Sequence, residues 1–395
     1  MLFDTTSIII CGILAFLVIV SVFMNPFFRA RNLFGKMKAE NEEGMEEEQM
    51  EAERPKQKWP RISVVITAHD NAWQLEHHLP TLLSQDYPGI FEVIVVAEKG
   101  DSATEDILKR YLNNRRLYYT FIPDSSRYMS RKKLAITLGV KASRFEWVLL
   151  TDASSTPMSD TWLKTFAQHM NEENKLIVGY SNYDKDAPSY YRFEQLRTAC
   201  YLLQDAKKGT AYRTNTKNIA FRKADFIRND GYRGNLEFTR GEYDFLVTKY
   251  AERDRTAVET DSNSWIVDEK PSKKVWRQSH ANFFYIRHHL KNGGWVRLAY
   301  ALDTFFLHAN YIAILLALTW SILTSRWIVT GVASLALILT IIIRWRFAKN
   351  VLQRVGIRLS PWKTILYEVN VFWQNIKYYF WYLRTNKTEF SSHKI

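Results

Sequence analysis

The chain has 395 residues, 54 Lys and Arg against 41 Asp and Glu, and a formal net charge of +13. That length exceeds one ordinary domain and allows two or three units. Its two cysteines, Cys11 and Cys200, are too few for a disulfide framework, and hydrophobic residues make up 47% while mean hydropathy is only −0.27, so the apolar character must be gathered in segments. A basic balance suits nucleic acid, an anionic membrane surface or a phosphorylated substrate. No nucleic-acid motif is present and the positive charge flanks the apolar runs, which excludes the first.

Residues 7–24, SIIICGILAFLVIVSVFM, carry no charge and approach the length that crosses a bilayer as a helix. Asp4 is the only charge ahead of this run, and large residues (Phe23, Met24, Phe27, Phe28) end it. A cleaved signal peptide needs a basic start and a small-residue cleavage site, so a retained anchor over 1–28 is expected. Residues 29–59 form a charged linker whose 40–53 stretch, ENEEGMEEEQMEAE, reads as a solvated acidic block.

From residue 60 the pattern changes. Ile62, Val64, Val65 and Ile66 make a β-branched run, as in a strand buried on both faces. A helical pattern through Leu75, Leu79, Leu82 and Leu83 follows. Then come strands at 91–97, 117–122 and 147–151, with helices at 105–112 and 131–142 between them. Strands alternating with helices predict a mainly parallel sheet covered on both faces, with ligands at the carboxyl ends of its strands. Those ends carry His69-Asp70-Asn71, Glu98-Lys99-Gly100-Asp101 and Thr151-Asp152-Ala153-Ser154. Later, Glu242 and Asp244 start a helix running through Leu246 and Tyr250.

Residues 305–323 and 327–343 are two more apolar runs, separated only by Thr324, Ser325 and Arg326. They predict a membrane hairpin over 301–345, with a pair of buried core helices as the alternative. Trp320 and Trp327 near the run ends favour a bilayer interface. Arg29, Arg31, Lys36 and Lys38 follow the first run, and Arg344, Arg346 and Lys349 follow the third. Positive-inside logic puts the 60–300 domain and the C-terminus in the cytosol. Within 346–395, apolar and aromatic residues recur from Trp362 to Leu383 at helical spacing. The pattern suits an amphipathic helix in the headgroup region, or one packed on the globular domain.

Several ordered pieces resemble one family. VVITAHDNAWQLEHHLPTLLSQDYP, EVIVVAEKGDSATEDIL, SRKKLAITLGVKAS, EWVLLTDASSTPMSDTWL, GEYDFLVTKYAE and KKVWRQSHANFF together resemble family-2 glycosyltransferases with the GT-A nucleotide-sugar fold, over about 61–290. The resemblance implies an α/β domain that moves a sugar from a nucleotide-diphosphate donor with inversion. It also implies a membrane-associated acceptor, lipid-linked or a growing glycan, in or on a cell-envelope membrane such as a bacterial inner membrane, with other glycan-assembly proteins as partners.

By the same resemblance Thr67, His69, Asn71, Glu98, Asp101, Lys132, Lys133, Asp152 and Ser154 hold the nucleotide-sugar. Asp152 binds a divalent metal, Mg²⁺ or Mn²⁺, because hard cations prefer carboxylate oxygen. Ser154 stands where the family usually has a second Asp, and a hydroxyl is the weaker ligand. Trp276, Arg277 and Gln278 face the diphosphate or the acceptor. The catalytic base is Asp244 or Glu242, since the family's usual acid position is filled by Tyr243. Successive helical residues turn by about 100°, so only one of the two is expected to face the acceptor. The rival reading is a glycosyltransferase-like subunit with weakened catalysis.

Overall fold

The computed structural model describes residues 4–35, 59–123, 130–209, 211–387 and 390. The acidic block 40–53, Lys36 and Lys38 lie outside the described residues. Three helices are long and apolar enough to cross a membrane: α1 (Thr5–Met24), α11 (Gly294–Leu323) and α12 (Trp327–Arg354). Asn25 ends α1 and caps the short α2 (Pro26–Arg29) that follows it, since the residue before a proline avoids the helical region.

The soluble part follows in the order β1 (Ile62–Thr67), α3 (Ala72–Leu83), β2 (Phe91–Glu98), α4 (Ser102–Arg110), β3 (Leu117–Ile122), α5 (Arg131–Ala142) and β4 (Trp147–Asp152). Then come β5 (Ser155–Pro157), α6 (Trp162–Ala167), β6 (Leu176–Val178), β7 (Ser181–Tyr183), α7 (Ser189–Lys207), β8 (Ile219–Arg222) and α8 (Lys223–Arg228). The last elements before the hairpin are α9 (Glu242–Tyr250), β9 (Thr256–Val258), β10 (Ile266–Asp268) and α10 (Lys273–Ile286); α13 (Pro361–Arg384) closes the chain.

The main sheet has the order β3-β2-β1-β4-β8-β6-β9. Its first four strands are mutually parallel, and β8 runs antiparallel between β4 and β6. A second sheet, β5-β10-β7, stands beside it. β1, β4 and nearly all of β2 are buried on both faces, which is why they read as continuous apolar runs rather than alternating ones. One core face packs α5, α7 and α9 residues against the sheet, and the other packs α3 and α6. Register sets Thr67 beside Asp152 across β1 and β4, so both loops open at one end.

The hairpin helices are longer than their apolar runs. α11 starts 11 residues before Phe305, at Gly294, and α12 continues to Arg354. α1 packs with both through Leu14, Val18, Ile314, Ala317, Ala333 and Ala336. At the far end Arg326 donates to Asp4 and, at 3.0 Å, to Ser7. At the domain end a buried charged network crosses five helices. Asp303 on α11 accepts from Arg197 (2.6 Å) and Tyr201 (2.8 Å) on α7 and from Arg344 (3.2 Å) on α12. Arg344 also donates to Glu368 on α13 (2.8 Å) and to the Ser21 carbonyl of α1 (2.5 Å). Buried charges persist when paired and hydrogen-bonded, and this network joins the α/β domain to the long apolar helices.

α13 packs one face and leaves the other exposed. Thr364, Glu368, Val371 and Tyr378 are buried against the domain, while Trp362, Leu366, Trp373, Phe380 and Leu383 are exposed on the outer face.

Candidate active site

A cavity of about 600 Å³ opens at the carboxyl end of the sheet, walled by the starts of α5 and α9 and by faces of α7 and α10. Each wall element has a local reason for its position. Ser130 caps α5, accepting from the Lys133 amide, and this places Arg131 and Lys132 on its first turn. Gly241 precedes α9 with φ of +86°, a conformation that favours glycine, and a Cβ there would meet Ile286 Cδ1 at 2.7 Å. The backbone can therefore turn sharply and drive the end of α9 into the cavity.

Both Glu242 and Asp244 line the cavity. The expectation that only one of them faces it fails because the cavity wraps the tip of the helix and not one side of it. Asp244 Oδ1 accepts from the Thr214 amide at 3.2 Å. Burial pushes its carboxyl up to about 6, with Arg213 and the Thr214 hydrogen bond opposing. Between them Tyr243 points inward, its hydroxyl donating to the Thr151 carbonyl at 3.3 Å. Burial holds that phenol well above its ordinary pKa.

At the strand ends Asp152 is almost enclosed, with 8% of its side chain exposed. Lys132 donates to its Oδ2 and lies 3.5 Å from Glu242. Lys217 lies 4.0 Å from Asp152 and 3.7 Å from Asp268, and it donates to Ser154 Oγ at 2.8 Å. Burial pulls the Lys132 ammonium down, but Asp152 and Glu242 outweigh it and keep the group charged. Burial likewise opposes the Asp152 charge, and the two lysines hold its pKa below the usual carboxylate range. Lys132 and Lys217 form part of the cavity wall, while Asp152 and Ser154 stand behind them.

The other expected residues divide. His69 lines the cavity, and its ring reaches Glu98 at 2.9 Å; Arg131 donates to the same carboxylate at 2.6 Å. Thr67 is buried in the sheet, and the Asn71 side chain accepts from the His69 amide. Asp101 caps α4, accepting from the amide and hydroxyl of Thr104; it serves the helix end rather than the cavity. Lys133, expected on the diphosphate, is buried with its ammonium donating to the carbonyls of Asn235 (2.6 Å) and Phe238 (2.7 Å). Its neighbour Lys132 takes the cavity side, because adjacent helical residues point about 100° apart.

Trp276 faces the cavity, stacked on Tyr191 at 3.9 Å with its indole N–H donating 2.8 Å to Tyr378. Arg277 and Gln278 turn elsewhere: Arg277 lies over Trp381, and Gln278 accepts from Arg240. α10 lines the cavity with Trp276, Ser279, His280 and Phe283, at helical spacing, and with Asn282.

Residues 63–229 match the family model described as Glycosyl transferase family 2. The match covers about two fifths of the chain and makes the α/β domain similar to family-2 glycosyltransferases. Its mostly parallel sheet flanked by helices is the GT-A arrangement expected from the sequence. No curated protein matches the chain. Two of the solved structures similar to it are as follows. One is the mannosyltransferase PcManGT from Pyrobaculum calidifontis in complex with GDP-Man and Mn²⁺, at 16% identity and TM-score 0.48, over 86% of this chain and 99% of that one. The other is S. aureus TarS 1-349 in complex with UDP-GlcNAc, at 14% identity and TM-score 0.42, over 81% of this chain and 92% of that one.

The cavity also holds residues that sequence reading missed. Lys217, Arg213, Glu194 and His280 all line the cavity. Glu194 and His280 pair at 2.7 Å, and Glu194 keeps one buried oxygen without a partner. One available signal was α7, a long helix in which Glu194, Arg197 and Asp205 sit among apolar residues at buried spacing.

The donor set at the strand end does not fit the divalent metal expected there. Asp152 supplies the carboxylate, but one of its oxygens is taken by Lys132 and the other accepts from the Ser154 amide and hydroxyl. Among the described residues no three His, Cys, Asp or Glu side chains converge on one point. A cation held by one carboxylate and the donor phosphates would have to displace Lys132 and still face the Lys217 ammonium.

Proposed function

We propose that this glycosyltransferase moves a sugar, with inversion, from a nucleotide-diphosphate donor to a lipid-linked or glycan acceptor at the cytosolic membrane face. The observation that carries the reading is the cavity itself. It joins a cationic corner, Lys132 and Lys217, to a carboxylate with a raised pKa, Asp244, within one open cleft. The cationic corner suits a diphosphate leaving group, and Asp244 suits the proton of an attacking hydroxyl. The aromatic wall of Trp276, Tyr183 and Phe283 suits a sugar face. The Trp276–Tyr378 bond ties that wall to α13, whose outer face is aromatic and exposed, so an acceptor would arrive from the membrane side.

In this mechanism the ionised Asp244 takes the proton from the acceptor hydroxyl as its oxygen attacks the anomeric carbon. The bond to the diphosphate breaks on the opposite face, and Lys132 and Lys217 stabilise the departing charge. Glu242, 3.5 Å from Lys132, holds that lysine in position. The test is a panel of nucleotide-sugars incubated with the full-length protein in lipid nanodiscs, followed for nucleoside diphosphate release and product anomer. Turnover with one donor and an inverted anomer supports the proposal; absence of turnover with every donor overturns it. Tyr243 and Ser154, both fixed by hydrogen bonds where the family usually has acids, favour a second reading, a donor-binding subunit of a glycan-assembly complex. Binding without turnover would establish that reading.

A further inference from the structure

We infer that the donor diphosphate is neutralised by two ammonium groups, Lys132 and Lys217, and that donor binding needs no divalent cation. The inference rests on the proposed nucleotide-diphosphate donor. Three observations converge on it. First, the residue that would complete a carboxylate pair is Ser154, and its hydroxyl accepts from Lys217 at 2.8 Å. Second, the two lysines approach one carboxylate from two elements far apart in sequence, the first turn of α5 and the segment leading into β8. Third, these lysines are part of the cavity wall, and Asp152 is behind them.

Two ammonium groups carry the same +2 as a magnesium or manganese ion, at the strand end where the sequence predicted that ion. Asp152, Glu242 and Asp268 surround the pair and orient it before any ligand arrives. Lysine is a point charge on a flexible stem, so each head can swing from its carboxylate to a phosphate oxygen as the donor enters. When the sugar departs, the developing charge on the diphosphate is met by N–H donors in a fixed pocket instead of a Lewis acid. Asp152, in this arrangement, is a positioning residue for two lysines and not a metal ligand.

The experiment measures binding of UDP, GDP, UDP-GlcNAc and GDP-Man to the full-length protein in nanodiscs by calorimetry, in excess EDTA and in excess MnCl₂. We expect at least one of these probes to bind with the same affinity in both. Lys217→Met should weaken that binding at least about tenfold, as expected for losing a hydrogen bond to a charged group, and Lys217→Arg should retain most of it. Thermal melts of both variants separate lost binding from lost folding. The double variant Ser154→Asp with Lys217→Met should acquire Mn²⁺-dependent binding, because it exchanges an ammonium for an oxygen ligand. Binding that EDTA abolishes in the wild type, or a Lys217→Met protein that is folded and binds normally, overturns the inference and leaves the donor reading standing. If no probe binds under either condition, the nucleotide-sugar reading itself fails, and the inference falls with it.

Discussion

Replacing Asp244 with Asn should remove activity and stabilise the protein at the same time. The carboxyl rises from 3.8 to about 6, mainly through burial, with Arg213 and the Thr214 amide holding it lower than burial alone would. A shift of roughly two units corresponds to about 3 kcal/mol at most by which folding disfavours the ionised form. The sign follows from linkage: a raised folded pKa contributes stability below the unfolded value, and that contribution is lost as pH rises through about 6. At neutral pH the wild type therefore bears an ionised, half-buried Asp244, and the isosteric Asn does not. Its amide oxygen still accepts from Thr214. The Asn variant should unfold up to about 3 kcal/mol less readily at neutral pH, and the gain should vanish below about pH 4. Turnover should fall on the order of 10² or more if this carboxylate takes the proton. In the wild type, kcat/KM should rise tenfold per pH unit below about 6 and level off above it. Denaturation in detergent at several pH values, alongside a pH–rate profile, checks both halves. An Asn variant with wild-type turnover, or a rate profile flat between pH 5 and 7, would refute the assignment.

Lys133→Met should destabilise the domain by about 1–3 kcal/mol, leaving the Asn235 and Phe238 carbonyls unpaired, yet leave donor affinity unchanged; binding calorimetry beside a melting curve reads both. Burial brings the Lys133 pKa down to about 8, below its unfolded value, so this group should make the wild type's stability rise as pH climbs from about 8 to 10. Asp303→Asn should cost about 3–5 kcal/mol by leaving Arg197 and Arg344 with one uncompensated buried charge, measured as detergent-solubilised thermal stability; a change under 1 kcal/mol would show that the network is not holding domain to membrane. Reporters fused after Ile395 and inserted within 40–53 should both read cytosol if Lys and Arg set the orientation, and an external signal at either place would reverse it.

Much of the architecture was legible because local patterns decide it. The doubly buried runs at 62–66 and 91–97 could form only central strands of a covered sheet, and β1 and β2 are those strands. The apolar runs became α1, α11 and α12, with Thr324 to Arg326 between the last two. Their true ends were less legible. Asp303 and Arg344 interrupt the hydropathy, and only their pairing inside the fold lets the helices continue through them. The function of α13 was split for the same reason: its spacing permitted a membrane face or a packed face, and the neighbouring α10 and α12 supply the partner for one face while the other stays exposed.

By itself the sequence determined the alternation of strands and helices from β1 to β4 and the three long apolar helices, because periodicity and hydropathy are properties of neighbours along the chain. Tertiary structure alone decided which side chains share the cavity. It set Lys217 against Asp152 across 65 residues of chain, and it joined Glu194 to His280. It also sent Lys133 into the core while Lys132 stayed at the wall, and it opened the tip of α9 so that Glu242 and Asp244 both reach one space. The physical reason is that these outcomes depend on where backbone segments distant in sequence come to lie, and on competition among charges for few partners in a poorly solvated space.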